Sequence, residues 1–322
     1  MAHTVSSIVD LRIYPIKSCR GISVPSAQIT HQGLFLDRRW MFVDSTHTFI
    51  TIRQHSQMTL IKTALNDAQT ELTITVPEHA DGSGTPTSIT VPVQADESWL
   101  ARNAKLVPVE IWGAGTDAYE YTDPSYASIF QRFFGAETYL VVKGPTKRVC
   151  RGNAAPELLG REEHVNFPDV LPVQIASLSS LAELNRRLEE RGADAITVER
   201  FRPNIIIEGG EPWSEDDWKT VRLNGDNSWI TSLKGGNREA VDLDVVARCA
   251  RCQVPNVDPD TAVKDKHEPW DLLVSYRRVD EGIKYKPCFG MLCCPRGEGR
   301  VELGMRFEVT EETKMHYYIK GF

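Results

Sequence analysis

Apolar positions along this chain recur mainly with period two over short stretches, the pattern of half-buried strands. Residues 5–13 alternate from Ile8 onward, and further strands are expected at 40–44, 49–52, 59–65, 71–76, 88–93 and 106–112. The linkers between them are polar and turn-rich, the longest spanning 79–86, so the first part of the chain predicts a barrel-like or sandwich-like β-domain. Nothing between residues 55 and 110 has a catalytic look. Helical spacing appears at Tyr126, Ile129, Phe130 and Phe133, between Asp123-Pro124 and Gly135. These are an N-cap, a first-turn proline and a terminating glycine, and the aromatic stripe reads as core.

A boundary near residue 140 divides the chain into a β-domain over 5–140 and a second unit over 141–322. The second unit opens with a basic stretch, Lys143 to Arg151 around Cys150, read as a loop that is solvated or covers an anionic ligand. A strand follows at 172–176. Next comes a helix with a Ser180/Glu183 capping box, an apolar face of Leu181, Leu184 and Leu188, and Gly192 at its end. Glu183 with Arg187 and Arg186 with Glu190 are i,i+4 pairs on its wet side. Strands are expected at 205–208, at 241–247 with Asp242 and Asp244 outward, and at 300–309; a helix is expected at 268–276. The fold class is α+β, predominantly β.

Length and charge narrow the picture. A chain of 322 residues holds two domains or one large intertwined one, and 41% apolar with 25% charged residues is ordinary for a soluble globular protein. A net charge of −7 argues against a general nucleic-acid binder but leaves room for a local basic pocket. The first seven residues resemble no leader and no run approaches a membrane span, so the expectation is a soluble intracellular, cytoplasmic protein, with mitochondrial association left open. Seven cysteines, an odd number, suit reduced thiols or a metal site better than a disulfide framework.

The densest chemistry lies in 248–261, where Cys249, Cys252, Arg248, Arg251, Asp258 and Asp260 crowd into fourteen residues at the exit of a strand. A C-x-x-C admits half a zinc site, a redox dithiol, or one working thiolate beside a bystander. Cys288, Cys293 and Cys294 supply no matching pair for zinc. A dithiol expects a helix N-terminus, whereas Pro255 and aspartates follow here. The remaining reading is a single thiolate, its pKa lowered by Arg248 and Arg251, acting as nucleophile or soft-metal ligand. Weaker anion-site signals stand at Lys17-Ser18-Cys19-Arg20-Gly21, at Asp37-Arg38-Arg39-Trp40 and at Phe201-Arg202-Pro203-Asn204.

Those motifs, joined by Val257-Asp258-Pro259-Asp260-Thr261, Glu268-Pro269 and Ser275-Tyr276-Arg277, resemble in order and spacing the MOSC-domain proteins, in particular the mitochondrial amidoxime-reducing components. The resemblance covers nearly the whole chain. It implies an N-terminal β-barrel-like region followed by a mixed β-barrel MOSC domain with peripheral helices. It also implies a molybdenum-pyranopterin cofactor between the two, with Cys252 as metal ligand and Cys249 as bystander. Lys17, Ser18 and Arg38 match positions at the phosphate end of the cofactor, and Arg202 and Asn204 match pterin contacts. The implied activity is reduction of N-hydroxylated substrates such as amidoximes and hydroxylamines. Electrons would come from an external donor such as a b-type cytochrome with its reductase. Asp258 is the candidate for orienting water or delivering a proton, with a turn-capping role as the plainer alternative. The chain departs from the family at Ala250, at Pro255-Asn256, at Met291-Leu292 and at Val170-Leu171, around the expected substrate rim. Two other functions compete: a cofactor or sulfur carrier with a persulfide on Cys252, and a cofactor-free β-rich binding protein.

Overall fold

The strand Cys288–Pro295 is buried at every position, so no polar alternation marks it out in the sequence. It pairs antiparallel with Val173–Ser177 on one side and with Val241–Ala250 on the other. The computed structural model, which describes residues 6–225 and 240–320, builds a barrel around it. In order round the barrel come Ile205–Glu208, Val173–Ser177, Cys288–Pro295, Val241–Ala250, Trp218–Asn224, Arg306–Glu312 and Ser6–Ile13, and the last pairs back with Ile205–Glu208. Seven strands thus close a mixed barrel in which only Val173–Ser177 and Ile205–Glu208 run parallel. Every second residue points inward: Ile8, Val173, Ile175, Ile205, Ile207, Val221, Leu223, Leu243 and Val245 belong to one buried cluster. The predominantly β class with few helices is therefore the architecture.

The two halves interlock. Ser6–Ile13 lies between Ile205–Glu208 and Arg306–Glu312, and Gly299–Glu302 pairs with Ser26–Thr30. Between these exchanges the N-terminal half adds two further sheets. One has four strands in the order Trp40–Asp44, Thr138–Lys143, Ala114–Tyr121, Ala104–Ile111; the other runs Lys62–Leu65, Glu71–Val76, Thr87–Pro92. The start expected at Val5 lies outside the described residues.

Several local expectations change. Residues 49–52 form no strand: Thr51 turns the chain, its N–H and hydroxyl both donating to Gln54 Oε1. The next strand is shorter than expected because Ser56–Leu60 is a 3-10 turn. Helix Pro124–Phe134 is capped by Asp123 and ended by Gly135 at φ 74°, and Phe130, Phe133 and Phe134 are core. The helix Leu178–Glu190 is capped by Ser177, not Ser180. Strand Val173–Ser177 ends directly on the helix, so its last serine reaches the Ser179 N–H. Ser180 is one turn inside and buried; it donates to Glu215 Oε2 and accepts the Trp213 N–H, both at 2.8 Å. The basic stretch 143–151 is neither a plain loop nor solvated throughout. Arg148–Val149 pairs with His164–Val165, and the buried Arg148 guanidinium donates to Pro168 O at 2.7 Å and Asp169 O at 3.2 Å.

Candidate functional site

At one end of the barrel a cavity of about 310 Å³ opens against residues 52–53 and 112 of the N-terminal half. Lys17, Ser18, Arg38, Arg202, Asn204 and Cys252, scattered over more than two hundred positions of sequence, all line it. Among its lining residues the cations Lys17, Arg38, Arg53, Arg202, Arg251 and Lys286 face one carboxylate, Asp169.

The loop after Ser6–Ile13 delivers Lys17 and Ser18. Lys17 is 4% exposed, its Nζ donating to Phe167 O at 2.9 Å and pairing with Asp169. Burial pulls its pKa down to about 8, with Asp169 opposing. Ser18, Arg38 and Arg202 all adopt positive φ, at 71°, 45° and 58°. Such backbone is held only where tertiary contacts over-determine it. Here Arg38 donates to Asp37 Oδ2 at 2.5 Å and to Arg202 O at 2.9 Å, and Arg202 donates to Cys19 O at 2.8 Å. Both guanidiniums lie over the Tyr14 ring, at 4.4 and 4.3 Å. Burial brings the Arg202 pKa down to about 10.

Asn204, which lines the cavity, also has a structural task. Its Oδ1 accepts the Gln174 N–H and its Nδ2 donates to Arg12 O, both at 3.1 Å. The side chain therefore braces strand Ile205–Glu208 between its two barrel neighbours.

Cys252 sits just past the end of Val241–Ala250, half-buried against Ile52, Val254 and Val257. Cys249 is buried; burial pushes its pKa up although the Arg251 Nη1 donates to its sulfur at 2.9 Å. The arginines expected to activate the thiolate are otherwise engaged. Arg248 points away, to His316 O at 3.1 Å and toward Asp216 and Asp280, while Arg251 serves Cys249 and Phe201 O. Arg53 is the cation set near Cys252, and it donates to Asp169 Oδ2 at 2.6 Å. Asp169 also accepts the Trp112 Nε1–H at 3.1 Å. Arg53, Asp169 and Gln174 were not singled out from the sequence. Only Asp169, next to Pro168 and just before a strand, had a local signal to offer.

Asp258 does not line the cavity. Its Oδ1 accepts the Asp260 and Thr261 N–H groups at 2.9 Å, and its Oδ2 pairs with Arg200 at 2.8 Å. Burial would raise its pKa, but these bonds bring it below the ordinary carboxylate value. It is a turn cap and a poor proton source at neutral pH.

A cofactor must fit the groups present. Arg202 Nη2 and Gln174 Nε2 are buried donors with no partner in the protein, and both residues line the cavity. Unpaired buried donors are costly unless a ligand accepts from them. Together with the excess of cations and a half-buried thiol, the donor set fits an anion-bearing heterocycle joined to a soft metal.

Residues 5–137 match the MOSC N-terminal beta barrel domain, and residues 162–308 match the MOSC domain. The chain is thus a protein of the MOSC class with both parts present. Mitochondrial amidoxime reducing component 2 of Rattus norvegicus is 30% identical over 313 residues, covering 93% of this chain and 82% of that protein. Mitochondrial amidoxime-reducing component 1 of Homo sapiens is 29% identical over 309 residues with the same coverage. Molybdenum cofactor sulfurase of Arabidopsis thaliana is 32% identical over 305 residues, covering 90% of this chain but 33% of the plant protein. The chain belongs to the MOSC-domain family that includes the mitochondrial amidoxime-reducing components. Among the described residues no helix is long and apolar enough to cross a membrane.

Proposed function

We propose that this protein is a molybdenum-cofactor-dependent reductase of N-hydroxylated compounds, amidoximes and hydroxylamines among them, supplied with electrons by a separate redox protein. The observation that carries the reading is Cys252, a partly accessible thiol in the wall of a cation-lined cavity that also holds two unpartnered buried donors. Cys252 would ligate the metal, Lys17, Ser18 and Arg38 would hold the anionic end, and Arg202 and Gln174 would donate to the ring system. When bound, the cofactor supplies two-electron oxygen-transfer chemistry. The net reaction is R–NHOH + 2 e⁻ + 2 H⁺ → R–NH₂ + H₂O.

The chain's own contribution is to hold and to exclude. Arg53 would set a positive charge near the Cys252 sulfur from the N-terminal half, and Asp169 holds Arg53. Val170, Leu171, Val254 and Leu292 give the cavity an apolar side that keeps water out and suits flat, uncharged substrates. Val170 and Leu171 bring no side-chain hydroxyls, so polar contacts there fall to the backbone.

The test is anaerobic turnover of an aromatic amidoxime by cofactor-loaded protein with reduced viologen as donor. The reading expects the amidine as product, at a rate lost in Cys252→Ala. A carrier, the reading favoured by similarity to the plant sulfurase, expects metal-loaded protein that forms no amidine.

A further inference from the structure

One side chain in the cavity wall comes from a segment that has no part in the function proposed so far. Beyond strand Arg306–Glu312 the chain runs without a regular element through residues 313–320. Met315 is 84% exposed, Tyr317 57% and Ile319 42%, whereas Tyr318 is 6% exposed and lines the cavity. It belongs to the buried cluster that holds Leu171, Cys249, Leu292 and Cys294.

The segment is held on both sides of Tyr318. Arg248 Nη1 donates to His316 O at 3.1 Å, and His316 Nε2 donates to Trp218 O at 2.6 Å. Asn153 brackets the residue, its Nδ2 donating to Tyr317 O and its Oδ1 accepting the Ile319 N–H, both at 2.8 Å. The Tyr318 N–H itself donates to Oδ1 of the buried Asp280 at 2.8 Å. Gly282 makes room for the approach, since a Cβ there would lie 2.1 Å from Tyr318 O. A side chain fixed in this way loses little freedom on meeting a ligand.

The phenol end has no such engagement. Among the described residues the Tyr318 hydroxyl makes no hydrogen bond, although a buried tyrosine ordinarily finds a partner. Burial pushes its pKa up to about 12, and Cys249, Cys288, Asp169 and Asp280 add to the rise. The hydroxyl is therefore a neutral donor at any working pH. The cations of the wall differ from it, because Lys17, Arg38, Arg53, Arg202 and Arg251 each hold a protein partner. Val170, Leu171, Val254 and Leu292 offer no side-chain donor, and Asp258 is turned away. Tyr318 thus brings a free donor to the apolar side, among Leu171 and Leu292.

We propose that the Tyr318 hydroxyl donates a hydrogen bond to the oxygen of the substrate's N–OH group and so selects N-oxygenated compounds over their oxygen-free products. The role rests on the reductase reading and names a substrate contact in that same cavity. Tyr318 keeps its proton throughout. As the N–O bond takes up two electrons and breaks, charge develops on the oxygen, and a donor already aimed at it stabilises that charge. One proton from solvent completes the water and a second completes the N–H bond. An amidine product is protonated and offers no acceptor, so it leaves the hydroxyl unpaired and is bound less well.

The test is Tyr318→Phe in the cofactor-loaded protein, a change that keeps the ring in its cluster and removes one oxygen. Benzamidoxime affinity, measured by calorimetry on the oxidised protein, should fall about fivefold, the worth of one neutral hydrogen bond. With reduced viologen as donor, kcat/KM should fall further, about thirtyfold, most of it in kcat. Molybdenum per chain and the urea midpoint should match wild type. Affinity and kcat/KM both within about twofold of wild type would overturn the contact. So would loss of molybdenum, which would give the hydroxyl to the cofactor, or a lowered urea midpoint, which would give it to the fold. A wild type that holds molybdenum yet neither binds nor reduces benzamidoxime would overturn the reductase reading, and this contact with it.

Discussion

Arg53 donates to Asp169 Oδ2 at 2.6 Å while Lys17 pairs with Oδ1 of the same carboxylate. One acid therefore ties the turn at Thr51 and the loop after the first strand to the segment that leads into Val173–Ser177. Lys17 and Arg53 hold the Asp169 carboxyl well below its ordinary value against the opposing effect of burial. Asp169→Asn leaves Lys17 buried without its counter-charge, at an expected cost of about 3 kcal/mol. Urea unfolding would measure it, and a loss below about 0.5 kcal/mol would show that the pair is no more than a surface ion pair.

Gln174 offers a separate test of ligand fit. Its Nε2 is buried and unpartnered, so Gln174→Leu removes a costly orphan and should raise the stability of the cofactor-free protein by about 1 kcal/mol. The same change should lower cofactor retention, because a donor to the ring system is gone. Stability and retention falling together would mean that the amide serves the fold and not the ligand.

Much of this was readable from local pattern, and the rest was hidden for physical reasons. Cys252 stood out because two cysteines, two arginines and a turn follow a strand. Asp169 offered only its place after Pro168, because its partners Lys17 and Arg53 are 152 and 116 residues away in sequence. Cys288–Pro295 escaped because a strand buried on both faces has no period to detect. The Ser180/Glu183 pattern looked like a capping box, yet the hydroxyl that reached a free N–H was Ser177, set by where the preceding strand ends. Arg248, inside the strand, and Arg251, just past its end, stood near the thiol in sequence, yet their guanidiniums hold other partners.

Glu215 should give the protein a pH-dependent stability unrelated to catalysis. Burial raises its carboxyl from the ordinary 4.5 to about 7. Between those values the folded state keeps a proton that the unfolded chain releases. Its contribution is whole below the unfolded value and is lost as pH rises to the folded one. Glu215→Gln, which mimics the protonated form, should match wild type at pH 4 and exceed it at pH 8 by roughly 3 kcal/mol. Equal Tm differences at the two pH values would contradict this.

Gly290 marks a close approach behind the cavity. It has φ +74°, and a Cβ there would lie 2.6 Å from Ile175 O, a backbone atom that cannot move aside cheaply. Gly290→Ala should destabilise the barrel by about 3 kcal/mol, read as a lower urea midpoint at unchanged slope. A midpoint within error of wild type would mean that the two strands can separate at no cost.

In the proposed function Cys252 holds a molybdenum cofactor in the cation-lined cavity. Molybdenum per chain, measured by mass spectrometry on protein from a cofactor-competent host, tests it most directly in wild type, Cys249→Ala and Cys252→Ala. Near-stoichiometric metal is expected in wild type, with retention in Cys249→Ala and loss in a folded Cys252→Ala. Metal-free wild type, or full occupancy in Cys252→Ala, would contradict it.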